Sequence, residues 1–129
     1  MSEERRASDV LIAKARGDAA AAIALADRSE VPDAVVGFHA QQAVEKALKA
    51  VLLARGVNYQ FRHDIAYLCE LLDDDGVQLP DEVARADTLT PWAAEFRYED
   101  PPSDESFDRG EAVETASRVL AWAASQLEA

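Results

Sequence analysis

The chain has 129 residues, nearly half of them apolar, one cysteine, and a formal charge of −12 from 13 Lys and Arg against 25 Asp and Glu. That length suits one domain, residues 1–129, that buries a core without metals or disulfides, and the lone Cys69 points to a reducing cytoplasm. So acidic a chain has no overall attraction for phosphate backbones, which excludes general duplex DNA binding; no apolar run reaches the ~18 residues of a membrane span, and the charged start MSEERRASDV lacks the apolar core of a secretory signal.

Strand-like alternation is missing and helical periods fill most of the length. The first predicted helix runs from about Glu4 to Asp27, with Val10, Ala13, Ala20 and Ile23 at helical spacing as its inward side. The second runs from about Pro32 to Arg55, opened by a proline suited to a first turn and closed by Gly56. Its Val36, Ala40, Ala43, Val44, Ala47, Ala50, Val51 and Ala54 share one face, and so many alanines predict a close helix neighbour. The opposite arc carries Phe38, Gln41, Gln42, Glu45, Lys49 and Leu52, flanked by His39 and Lys46. Phe38 and Leu52 set among amides predict a covered face, with the third helix, the loop from Gly56 to His63, or a second subunit as the cover. The expectation is that loop and second subunit share it. Phe38, Gln42 and Leu52 are then interface residues, and Lys46 and Lys49 border a cleft.

After the loop GVNYQFRHD comes a short helix from His63 or Asp64 to Leu72, with Ile65, Leu68, Cys69 and Leu72 inward. Cys69 reads as a small buried hydrophobe and the DDDG that follows as a solvated turn, since its spacing is not that of a calcium loop. Pro80 opens a fourth helix with Val83, Ala86 and Leu89 inward; Pro91 predicts a break, after which PWAAEFRY packs Trp92, Ala93 and Phe96. A loop, EDPPSDES, leads to the last helix, from Asp104 or Ser106 to Leu127, with Val113, Ala116, Leu120, Ala123 and Leu127 as its seam.

The stretches FHAQQAVEKALKAVLLARGV, RHDIAYLCELL and EFRYED together resemble the HEPN domain, from about Ala7 to Leu127. The matching elements are Phe38, Gln41 to Ala50, His63–Asp64 and Arg97–Tyr98; Glu99 stands where the family commonly has proline, and Phe96 where a small residue is common. The resemblance implies an all-α up-and-down bundle of four long helices plus a short one, often a homodimer. It also implies a bacterial partner of the minimal nucleotidyltransferase type, in a toxin–antitoxin-like pair.

One branch of that family consists of ribonucleases marked by an arginine, a spacer of four to six residues and a histidine. Here His39 has Arg28 as its nearest upstream arginine, while His63 has Arg62 directly before it and Arg55 with seven residues between, so neither histidine meets the signature. The sequence therefore predicts no catalytic residues. Arg62, His63 and Arg97 form the alternative set, for an atypical metal-independent ribonuclease. Glu45 reads as ordinary helix-surface charge, and no phosphate loop, dinucleotide fingerprint or metal motif is found. The expected function is a non-catalytic module binding a nucleotide or a partner protein; a plain oligomeric scaffold is the third reading. No cofactor or metal is expected. A phosphate-bearing ligand, with a purine nucleotide the first to test, is expected on Lys46, Lys49, Arg62, His63 and Arg97.

Overall fold

The structure, a computed structural model, describes residues 2–93 and 107–128. Ser2 caps the first helix, α1 (Glu3–Ala26), by accepting the Arg5 N–H at 3.1 Å. A turn at Asp27–Pro32 leads to α2 (Asp33–Ala54). The end of α2 is closed by Gly56 at φ +73, with the Val57 N–H on the Leu52 carbonyl at 2.9 Å and the Gly56 N–H on Leu53 at 3.0 Å. That left-handed residue is where only glycine is at ease. Asp64 then caps α3 (Ile65–Asp74) through the Tyr67 N–H at 3.2 Å. Next come α4 (Asp81–Ala84), a 3-10 segment (Arg85–Trp92), and, past the undescribed stretch, α5 (Arg109–Glu128).

Ser8 of α1 donates to the Ala50 carbonyl at 2.8 Å while Asp18 meets His39, so α1 and α2 run antiparallel. Arg5 reaches the Leu127 carbonyl and Arg109 reaches Leu25, so α5 runs antiparallel to α1. The small residues Ala15, Ala19 and Ala22 on one helix and Ala40, Ala43, Ala47 and Ala50 on the other are all buried, which lets the two backbones approach closely. α2 also packs against α3, α5 and the 3-10 segment, and is thereby covered on nearly every side.

The all-α bundle expected from the sequence is the fold of the chain, and among the described residues there is no strand. The inward sets of α3 (Ile65, Leu68, Cys69, Leu72) and of the Pro80 region (Val83, Ala86, Leu89) are buried as expected. The element opened by Pro80 is one α-helical turn drawn into a 3-10 helix that carries Pro91 and ends at Trp92. The Thr90 hydroxyl accepts the Ile65 N–H at 3.2 Å, at the start of α3.

Two faces are corrected. In α1 the buried residues are Ser8, Ile12, Ala15, Ala19 and Ala22, while Val10 and Ile23 are 54% and 52% exposed. Alanines lie all round this helix, so period alone offered two apolar stripes, and the one that fits closest against α2 is the one buried. In α5 the seam is Ala112, Ala116, Val119, Ala123 and Leu127, with Val113 and Leu120 only half-buried at its edge. On α2, seven of the eight residues assigned to the inner face are buried, and only Ala54, at the fraying end, is exposed.

The indole of Trp92 lies directly on the α2 backbone. A Cβ placed at Gly37 would sit 2.7 Å from the ring, and Phe107 stacks behind it with centroids 4.3 Å apart. Gly37 is thus the hole into which the last side chain of the 3-10 segment fits. Phe96, Arg97 and Tyr98, assigned above to a packed continuation and to the candidate site, lie outside the described residues.

Candidate functional site

The polar arc of α2 is not a surface. Gln41, Gln42, Glu45 and Lys49 are 0%, 6%, 2% and 6% exposed, and Leu52 is fully buried. Helical geometry brings Gln41, Glu45 and Lys49 onto one line, each four residues from the next. The Lys49 ammonium donates to Glu45 Oε2 at 3.0 Å and the Gln41 amide to Glu45 Oε1 at 2.9 Å. The Gln42 amide donates to Gln41 Oε1 at 2.7 Å. From across the loop His63 Nδ1 lies 2.9 Å from Glu45 Oε1. A carboxylate only accepts, so Nδ1 carries the hydrogen in that bond. Glu45, read from the sequence as surface charge, is the hub of the cluster. A carboxylate this deep is tolerable only because three donors converge on it.

The cover is the loop between α2 and α3. Tyr59 and Phe61 each hold a ring 5.4 Å from the Lys49 ammonium, a cation–π arrangement with both. Burial, and next the Glu45 charge, push the Tyr59 hydroxyl above its ordinary pKa. The Phe61 ring meets the His63 ring edge-on and is nevertheless 84% exposed. Arg62 also turns outward, its guanidinium bonded to Asp64 at 3.1 Å and lying 4.2 Å from the Tyr67 ring centroid. His63 turns inward, with its Nε2 buried as well.

Of the residues expected at a phosphate site, the fold brings Lys49 and His63 together on Glu45 and puts Arg62 at the rim. Lys46 goes elsewhere. Its ammonium lies 2.5 Å from Asp18 of α1, whose other oxygen is 3.0 Å from His39 Nδ1. Arg97 is outside the described residues. Lys49 lies beneath rings and not at the rim of a cleft. Of the expected interface residues, Leu52 and Gln42 are covered by the chain itself, whereas Phe38 is half-buried with its ring edge-on to His39. Glu45, Tyr59 and Phe61 were not among the expected site residues. The four-residue spacing of Gln41, Glu45 and Lys49 was the signal for the first, and the aromatic–basic run YQFRH for the others. Nothing in the sequence marked Asp18.

Cys69 is buried with its thiol on the Val83 carbonyl. Burial, followed by the charges of Asp87 and Asp64, pushes its pKa up to about 11, so it stays a protonated, inert thiol at neutral pH. Among the described residues no group of three or more His, Cys, Asp or Glu could hold a metal ion. Likewise no helix among them is long and apolar enough to cross a membrane. No curated protein and no solved structure matches the chain. A family profile does, over residues 8–127, and that span takes in α2, the 57–63 loop and every residue of the cluster just described. The chain therefore belongs to the HEPN domain family.

Proposed function

We propose that this HEPN domain is a non-catalytic binding module for a phosphate-bearing ligand, a purine nucleotide first, held on the outer side of the 57–63 loop. One observation carries the reading: the loop turns Phe61 and Arg62 out to solvent and His63 in. An exposed aromatic ring offers a nucleobase a stacking surface, and an arginine at its side offers a fork for phosphate. A general acid or base must reach the reacting atom. His63 has Nδ1 engaged by Glu45 and Nε2 buried, so it is a structural residue in this reading. Lys49 and His63 then act from beneath, fixing the loop; Lys46, committed to Asp18, stands apart.

The same reading places the protein in the cytoplasm, as the companion of a nucleotidyltransferase-type protein in a toxin–antitoxin-like pair. Self-association is part of it. The half-buried Phe38 and the 36% exposed Val35 on one flank of α2 support a contact with a second copy there.

Thermal denaturation with ATP, GTP and their diphosphates tests the ligand. Binding to the native state alone adds RT ln(1 + [L]/Kd), about 2.7 kcal/mol at a hundredfold excess over Kd. The expected result is a rise in melting temperature that is lost in Phe61→Ala/Arg62→Ala. No shift at millimolar nucleotide would contradict the ligand, and a shift that survives the double substitution would move the site elsewhere.

A further inference from the structure

The loop is attached in an unusual way. Val57 is tied by its N–H to the end of α2, and Asp64 is the N-cap of α3. Between them, among the described residues, no backbone group from Asn58 to Arg62 bonds to another backbone group. What holds the loop down is side-chain contact. The Tyr67 hydroxyl accepts the Gln60 N–H at 2.8 Å. Arg62 lies on the Tyr67 ring, His63 bonds to Glu45, and two rings rest against Lys49. The floor beneath is equally unusual, because Gln41, Gln42, Glu45 and Lys49 occupy positions where apolar side chains would make a better seal. Lifting a loop from an apolar floor exposes hydrophobic surface to water. Lifting this one returns the buried Lys49–Glu45 ion pair to water, which offsets the lost contacts.

We propose that residues 57–63 form a lid, latched by the Tyr67 hydroxyl, that opens without unfolding of the bundle and so uncovers Lys49 and Glu45. The inference rests on the reading above in one respect: the ligand served by an uncovered ammonium is a phosphate-bearing one. The closed lid masks the charge of Lys49 and presents Phe61; the open lid adds a cation to the site. Affinity for phosphate is then set by the opening equilibrium as well as by the contacts themselves.

The chain has three lysines, Lys14, Lys46 and Lys49, which makes amine acylation a direct readout. The protein is treated with the N-hydroxysuccinimide ester of acetic acid, and each site is followed by mass spectrometry at several urea concentrations below the unfolding transition. Lys14, exposed on α1, is the internal reference. Local opening exposes little surface and therefore depends little on urea, whereas global unfolding depends on it steeply. The expected result is a Lys49 rate slower than that of Lys14 and flat in urea. In Tyr67→Phe, which keeps the ring and removes only the latch, the Lys49 rate rises roughly three- to tenfold and the Lys14 rate does not. A Lys49 rate that climbs with urea along the global unfolding line, or one that Tyr67→Phe leaves unchanged, overturns the lid. If the lid results hold and ATP leaves the Lys49 rate untouched, the lid stands and the nucleotide reading fails.

Discussion

Glu45→Ala is expected to cost about 3–5 kcal/mol of folding stability, the range for removing one partner of a buried ion pair. Set against a total of ~5–15 kcal/mol for a domain, that is a large share of the stability. The cost comes from what remains. Without the carboxylate, Lys49 stays buried as an uncompensated cation beside two rings, and the Gln41 amide and His63 Nδ1 lose their acceptor. Glu45→Gln keeps an acceptor oxygen and is expected to fall between the two. Replacing both members, Glu45→Met with Lys49→Met, is expected to be neutral or stabilising, because the pair's attraction does little more than repay its desolvation. Urea denaturation of the three variants decides this. A loss under about 1 kcal/mol for Glu45→Ala would mean that water reaches the pair and that the network is not sealed.

Arg109→Ala is expected to cost about 2–3 kcal/mol, from the loss of several charge-assisted hydrogen bonds. This one side chain, at the first position of α5, ties down the turn between α1 and α2. Its guanidinium donates to the carbonyls of Leu25, Ala26 and Arg28 at 3.4, 3.3 and 3.0 Å, to that of Val31, and to Asp33 at 2.7 Å. The Leu25 and Ala26 carbonyls are among the last of α1, left without partners within the helix, and a cation there also meets the negative end of the helix dipole. Water can reach part of this site, which keeps the cost below that of Glu45→Ala. Arg109→Lys keeps the charge and loses the planar fork, so it is expected to recover less than half of the stability. Thermal denaturation provides the measure, and a Lys variant as stable as wild type would show that charge alone accounts for the contact.

The sequence made the helices legible because their boundaries rest on local chemistry. Gly56, Asp64 and Pro80 mark helix ends or starts through their own backbone and side-chain preferences. The inner face of α2 was readable because its alanines repeat on one side only. α1 was misread for the complementary reason. With alanine on every side, the choice between the stripe of Val10 and Ile23 and that of Ile12 and Ala15 depends on how closely α2 approaches, which is a property of two helices together. Similarly, Pro91 announced a departure from regular α-helix but not the 3-10 winding, which seats Trp92 on Gly37.

The candidate site was legible as a set of residue types and not as a geometry. Lys49, Arg62 and His63 were picked out for their charge and their place in family-like elements. The fold then spends Lys49 and His63 on Glu45, a residue whose sequence context, beside Lys46, is that of a hundred solvated helices. What distinguishes it is the loop that closes over it, and that closure depends on Tyr59, Phe61 and Tyr67 meeting α2 and α3 in space. Lys46 went to Asp18, twenty-eight residues away on another helix, a pairing no local pattern announces.

In the proposed function the polar arc of α2 and its histidine serve structure and binding, not phosphodiester chemistry. The direct measurement is incubation of the purified protein with end-labelled single-stranded RNA in metal-free buffer, alongside His63→Ala. Both proteins are expected to leave the RNA as intact as buffer does. Cleavage by the wild type that disappears in His63→Ala would contradict it and make His63, with Arg62 at its side, the catalytic pair.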